Sequence, residues 1–176
     1  MLKTKKAFTL IELLIVIGVL GVLAAIILVA VDPAKRLRQA RNARRSSEVN
    51  AILNAILNYS ADAKGSLPAA IASATAVDQT LVIGTAGTSP SSTDCPNALT
   101  GAGTSTAYAN LQGDTVLVDT YISEIPVDPR ATNGTDTYDR SNTGYYVKRS
   151  ANGRVEVGSC NPEDEGGVTP AIKIKR

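Results

Sequence analysis

The sequence has no histidine and no tryptophan, one phenylalanine, one methionine and two cysteines among 176 residues. Without histidine, Ser-His-Asp nucleophile chemistry and His-based zinc sites are excluded. No other nucleophile–base pair or cofactor motif stands out, so the chain reads as a non-enzyme that needs no cofactor. Two distant cysteines, Cys95 and Cys160, suit one disulfide in an oxidising compartment. Closing a loop of more than sixty residues, it would contribute about 4 kcal/mol, chiefly through the unfolded state. Charge is also missing where it is usually common. Between Lys6 and Asp32 the only ionisable side chain is Glu12.

That gap defines the N-terminal third. A basic leader (Lys3, Lys5, Lys6) precedes nineteen apolar residues, Leu13 to Val31. As a helix they span about 28 Å, close to the hydrocarbon thickness of a bilayer. A cleaved secretory signal would have a shorter apolar region followed by a small-residue cut site. Here the run continues past Ala24-Ala25 into more helix-forming sequence, which favours a retained membrane helix. Glu12, at the edge of this run, needs compensation, because a carboxylate beside hydrocarbon is costly and functional by default. The helix start itself supplies some, through its unpaired N–H groups. Gly18 and Gly21 weaken the helix in water, yet are compatible with close helix approach in a bilayer.

Beyond the run, Asp32–Asn50 holds six basic residues (Lys35, Arg36, Arg38, Arg41, Arg44, Arg45) against Asp32 and Glu48. From Ala51 onward, nine basic residues face thirteen acidic ones. The basic run reads as a solvated helix face, an attraction to anionic lipid, or a partner for acidic heads of adjacent subunits. By the positive-inside rule alone it would hold the head in the cytoplasm. The disulfide argues for the opposite side.

Val49, Ile52, Leu53, Ile56 and Leu57 recur at helical spacing, and Leu37 and Ala40 are read as extending the stripe backward. Lys64-Gly65-Ser66-Leu67-Pro68 carries helix-stop signals. Thr9 to Ala63 is therefore expected as one rod of about 80 Å, with a kink or short break at Asp32-Pro33. Further on, Thr80–Ile83 reads as a short strand, residues 84–103 as a long loop, and Val116–Ile125 as either strand or helix. Tyr145–Arg149 and Arg154–Val157 flank Asn152-Gly153, a hairpin signal. Such a hairpin needs a third strand or a helix, and the Val49–Leu57 stripe suits it. Glu163-Asp164-Glu165 reads as a solvated turn, and the tail Ile172–Arg176 as a lysine-protected edge strand. The fold class expected is α+β, a long N-terminal helix packed on a small antiparallel sheet. The segments are 1–7 leader, 8–31 membrane helix, 32–64 amphipathic stem and 65–176 head.

Lys5-Lys6-Ala7-Phe8-Thr9-Leu10-Ile11-Glu12, with the apolar run after it, resembles the N-terminus of type IV pilins and pseudopilins. Ala7 stands where that family usually has glycine. The stretches Ala40–Arg45, Asn50–Ile52, Tyr121–Pro129 and Gly144–Val147 look similar to the family more weakly. The resemblance implies cleavage between Ala7 and Phe8 by a prepilin peptidase, N-methylation of Phe8, and a topology with leader inside and head outside. It also implies assembly through an inner-membrane platform into a helical homopolymer at the cell surface, the chain residing in membrane lipid beforehand. Glu12 of an incoming subunit would neutralise the Phe8 amine of a neighbour. A pseudopilin of a secretion system and a minor DNA-binding pilin are the alternatives, although the acidic head argues against a nucleic-acid partner. Related pseudopilins carry calcium near the corresponding hairpin, which makes Asp128, Asp136 and Asp139 candidate ligands.

Overall fold

The computed structural model describes residues 8–73, 79–85, 95, 107–130 and 137–176. The chain divides into two compact units, Met1–Leu37 and Arg38–Arg176.

In the first unit, helix α1 covers Leu10–Val31. It ends where Asp32 adopts a left-handed backbone (φ 43°). Asp32 then serves the next helix, α2 (Pro33–Asp62), by accepting the Lys35 N–H at 3.1 Å on Oδ1. Pro33 sits at the first helical position, where its missing donor costs nothing. The break expected at Asp32-Pro33 is thus present, and the expected single rod is two helices. Gly65 closes α2, its N–H reaching the Ser60 carbonyl at 2.7 Å with φ +89°.

The second unit is built on a five-stranded sheet, β1 (Thr80–Ile83), β2 (Ala107–Ala109), β3 (Tyr145–Arg149), β4 (Val155–Ser159) and β5 (Lys173–Lys175), in the order β2-β1-β3-β4-β5. The chain is α+β as expected. The sheet, however, is mixed: β2 joins β1 in parallel, while the other neighbours are antiparallel. The segment of more than twenty residues between β1 and β2 is long enough for the crossover that a parallel pair requires.

Register explains the core. Ala107, Leu81, Val147, Val157 and Ile174 align across all five strands. This row faces α2, where Val49, Ile52, Leu53 and Ile56 are buried in the same cluster. Burying side chains of this size stabilises by about 1.5–3 kcal/mol each. The adjacent row, Tyr108, Val82, Tyr146 and Gly158, points to the other face. There Val82 and Tyr146 pack with the Cys95–Cys160 disulfide (Cα–Cα 4.3 Å). Gly158 is glycine because a Cβ would lie 2.6 Å from the Tyr146 ring.

The β3–β4 hairpin forms as the sequence indicates. Its loop takes three residues, Ala151-Asn152-Gly153, with Ser150 N–H bonded to the Arg154 carbonyl and Gly153 N–H to the Ser150 carbonyl. Gly153 alone of these has positive φ (+74°), the three-residue arrangement with glycine in the left-handed position. The segment Val116–Ile125 is neither strand nor helix. It is a set of turns with one bridge, Val118 to Ile122, that buries Leu117, Val118 and Ile125. Most of the expected 84–103 loop lies outside the described residues.

Candidate functional site

Among the described residues, two places hold charge in an apolar setting. The first is the start of α1. Thr9 is its N-cap, and the Thr9 Oγ1 accepts the Glu12 N–H at 3.3 Å. In return, Glu12 Oε2 accepts the Thr9 N–H at 2.8 Å and the Thr9 hydroxyl at 2.7 Å. This is a capping box, two orphan donors satisfied reciprocally. The carboxylate also lies where the helix N-terminus favours negative charge. Glu12 therefore obtains its compensation locally, from the residue three positions before it. The T-x-x-E spacing announces this arrangement, and Thr9 is the functional residue that the charge argument passes over.

The rest of α1 is uniformly apolar, and none of its residues is buried. Among the described residues it is the single helix long and apolar enough to cross a membrane. Its 22 residues span about 33 Å. A Cβ added at Gly18 or Gly21 would meet nothing within 4 Å. No packing among the described residues requires glycine there.

The second place is a buried ionic cluster in the Arg38–Arg176 unit. The Arg45 side chain is 0% exposed and forms a bidentate pair with the equally buried Asp128, Nε to Oδ2 and Nη2 to Oδ1, both 2.7 Å. Its Nη1 donates to Asn42 Oδ1 at 2.7 Å and to Glu163 Oε2 at 2.9 Å. Arg41 grips Glu163 from the other side with two bonds of 2.6 Å. Asn42 completes the set, donating to the Glu163 carbonyl and Glu165 Oε1 while accepting the Glu163 N–H. Burial opposes the Glu163 carboxylate, but the hydrogen bonds from Arg41 and Arg45 outweigh it and hold its pKa below the ordinary value. Burial likewise opposes the Arg45 guanidinium, and its bonds to Asp128 and Glu163 push its pKa up.

One turn further along α2, Glu48 accepts from Arg44 Nε at 2.8 Å and from the buried Tyr145 hydroxyl. Burial, then the Glu48 contact, raises the Tyr145 pKa.

Three expectations change here. Glu163-Asp164-Glu165 is not a solvated turn, since Glu163 is buried under Arg41 and Arg45. Part of the basic stem pairs with acidic residues of its own chain rather than with a neighbour's. The apolar stripe runs back from Val49 through Arg45 and Asn42, both buried, while Leu37 and Ala40 are exposed. Stepping back from Val49 by four and seven residues gives 45 and 42, whereas 40 lies on the opposite face. Reading the stripe by strict periodicity would have placed Arg45 inside.

Of the candidate calcium ligands, Asp128 has both oxygens engaged by Arg45 and also accepts the Arg130 N–H at 2.9 Å. Asp139 organises a turn, accepting from the Ser141 side chain and backbone and from Asn142 N–H, and these bonds lower its pKa. Asp136 and Ala7 lie outside the described residues. Among the described residues no cluster of three metal-ligating side chains occurs. Cys95 and Cys160 are bonded to each other, as expected.

A family model, the prokaryotic N-terminal methylation motif, matches residues 2–28. This is the type IV pilin/pseudopilin signature, a structural type rather than an enzyme family. Together with α1 it fits a membrane-anchored precursor. Comparisons with curated proteins and with solved structures each gave no match.

Proposed function

We propose that this chain, which carries the methylation signature at residues 2–28, is the structural subunit of a type IV pilus-like filament. Prepilin peptidase cuts between Ala7 and Phe8, Phe8 is N-methylated, and an inner-membrane platform moves α1 from lipid into the core of a helical polymer. The leader lies in the cytoplasm and the head outside. The observation that carries this reading is the conjunction of the motif with a capped helix whose single charge, Glu12, lies in its first turn and none of whose residues is buried. A helix apolar all round belongs in a membrane or a packed core. Here each environment serves in turn, anchor before assembly and core afterwards.

Glu12 connects the two states. Its Oε2 serves Thr9, while no described residue donates to Oε1. The amine created at Phe8 of a neighbouring subunit is the cation that Oε1 would meet as both leave lipid. In a low-dielectric core a mismatched register leaves one charge uncompensated, so the pair selects a single stagger. Gly18 and Gly21, unconstrained within the chain, suit close approach of a neighbour's helix. The test is Glu12→Ala. The variant is expected to be cut and methylated normally yet yield little sheared filament; wild-type yield would refute the role of Glu12.

A further inference from the structure

Arg41, Arg44 and Arg45 are engaged inside the chain, and of the charge elsewhere the sheet's two edges carry groups of opposite sign. At one edge β5 carries Lys173 and Lys175, with Arg176 just past it, all exposed, and Arg154 is exposed just before neighbouring β4. The Val155 N–H donates to the Arg176 carbonyl and the Arg176 N–H to that of Val155, which brings Arg154 beside the tail. Glu156 offsets this edge only in part, facing Lys173 Nζ at 3.8 Å.

At the other edge, the segment that follows β2 carries Asp114, Asp119 and Glu124. Asp62 joins them from the end of α2, accepting the Tyr121 hydroxyl at 2.7 Å. The Tyr59 and Tyr121 rings, 6.0 Å apart, tie that helix end to the segment. Asp62, Asp119 and Glu124 are exposed and Asp114 half-buried. Glu124 pairs with Arg140 at 2.7 Å, and Lys64, exposed, lies two residues past Asp62. Four strand spacings, about 19 Å, separate the two edges.

We propose that the β5 edge of one copy docks against the Asp62–Asp119 edge of the next, so that the heads of neighbouring subunits are joined by complementary charge. The inference rests on the polymerisation reading above and names the surfaces the heads use. The partner is a second copy because the complementary patch is present on the same chain, at the opposite edge. A contact between two different patches does not close on itself in a pair; it propagates, and when rotation does not close a ring it gives a helical filament. Strand addition is disfavoured as the mode of contact, since β5 is three residues long with lysines at both ends. Exposed pairs are individually weak. Their use is to fix orientation and speed correct encounter, and the effect is screened by salt.

The direct test is the full chain bearing Asp119→Cys together with Lys175→Cys, oxidised in cells that assemble it. The expected product is a disulfide ladder extending beyond the dimer, absent from either single variant. Charge reversal gives the second arm: Lys173→Glu with Lys175→Glu lowers sheared filament yield several-fold, and adding Asp119→Lys with Glu124→Lys restores it. If the unmodified chain forms no polymer, the polymerisation reading itself falls. If it polymerises but the cysteine pair gives only monomers or dimers, this proposal alone is overturned. Full filament yield from the lysine reversals, with loss of retained duplex DNA, would instead assign the basic edge to a polyanion.

Discussion

Glu12 and Glu163 are both carboxylates in apolar settings, and the chain treats them in opposite ways. Glu12 is satisfied by a residue three positions away, in a capping box at the surface of a helix that buries nothing. Glu163 is satisfied by Arg41 and Arg45, 122 and 118 residues away in sequence, in a cluster where Arg45 and Asp128 are fully buried and Arg41 is a quarter exposed. The first arrangement leaves the helix's apolar surface exposed and, among the described residues, one carboxylate oxygen without a donor. The second pairs Arg41 and Arg45 with Asp128 and Glu163 inside the chain. Region by region, the N-terminal unit leaves its apolar residues exposed, while the buried charges of the head are paired within the chain.

The comparison breaks most severely at Arg45. Replacing it with methionine strands Asp128 in a buried site and removes one of the three arginine bonds to the Glu163 carboxylate, and removal of one buried partner typically costs about 3–5 kcal/mol. Denaturant unfolding of the full chain in micelles should show a loss of that size, with partial recovery when Asp128→Leu is added. A loss below about 1 kcal/mol would place the cluster in the class of exposed pairs.

Acid should sharpen the contrast next. The Glu163 pKa is lowered from its ordinary value of 4.5, so its stabilising contribution is complete above that value and disappears as pH falls through the lowered one. Head stability should therefore be flat from neutral pH to about 5 as far as this group is concerned, then drop. Glu163→Gln should start lower and lose less on acidification; an identical acid profile for both proteins would contradict the assignment.

Smaller effects belong to the exposed groups. Thr9→Val removes the cap of α1 and should cost about 1 kcal/mol, visible as faster hydrogen exchange at the Glu12 and Leu13 amides, with Thr9→Ser close to wild type. Arg44→Ala breaks an i,i+4 pair whose arginine is mostly exposed. It should change stability by about 0.5 kcal/mol or less, which makes it the control for Arg45.

How legible these two regions were in the sequence follows from the same distinction. Local signals read correctly: the apolar run of α1, the break at Asp32-Pro33, the hairpin around Gly153, the Thr80–Ile83 strand and the edge strand at the tail. Each depends on residues within a few positions of one another. The Arg45 cluster was hidden because arginine in a basic run is ordinarily solvated, and its partners lie 83 and 118 residues away. Only the phase of the stripe, counted back from Val49, carried its signal. Strand β2, Ala107-Tyr108-Ala109, was hidden for a different reason. Its composition differs little from its Ala- and Thr-rich surroundings, and its pairing with β1 supplies the order that its own propensity lacks. The capping box was fully written in the T-x-x-E spacing of Thr9 and Glu12.

The central claim is that this chain is processed to expose Phe8 and then leaves the membrane as a polymer. Mass spectrometry of the sheared surface fraction tests it most directly. The account predicts a chain beginning at N-methylated Phe8, with the Cys95–Cys160 bond intact. An unprocessed chain beginning at Met1, confined to the membrane fraction, would contradict it.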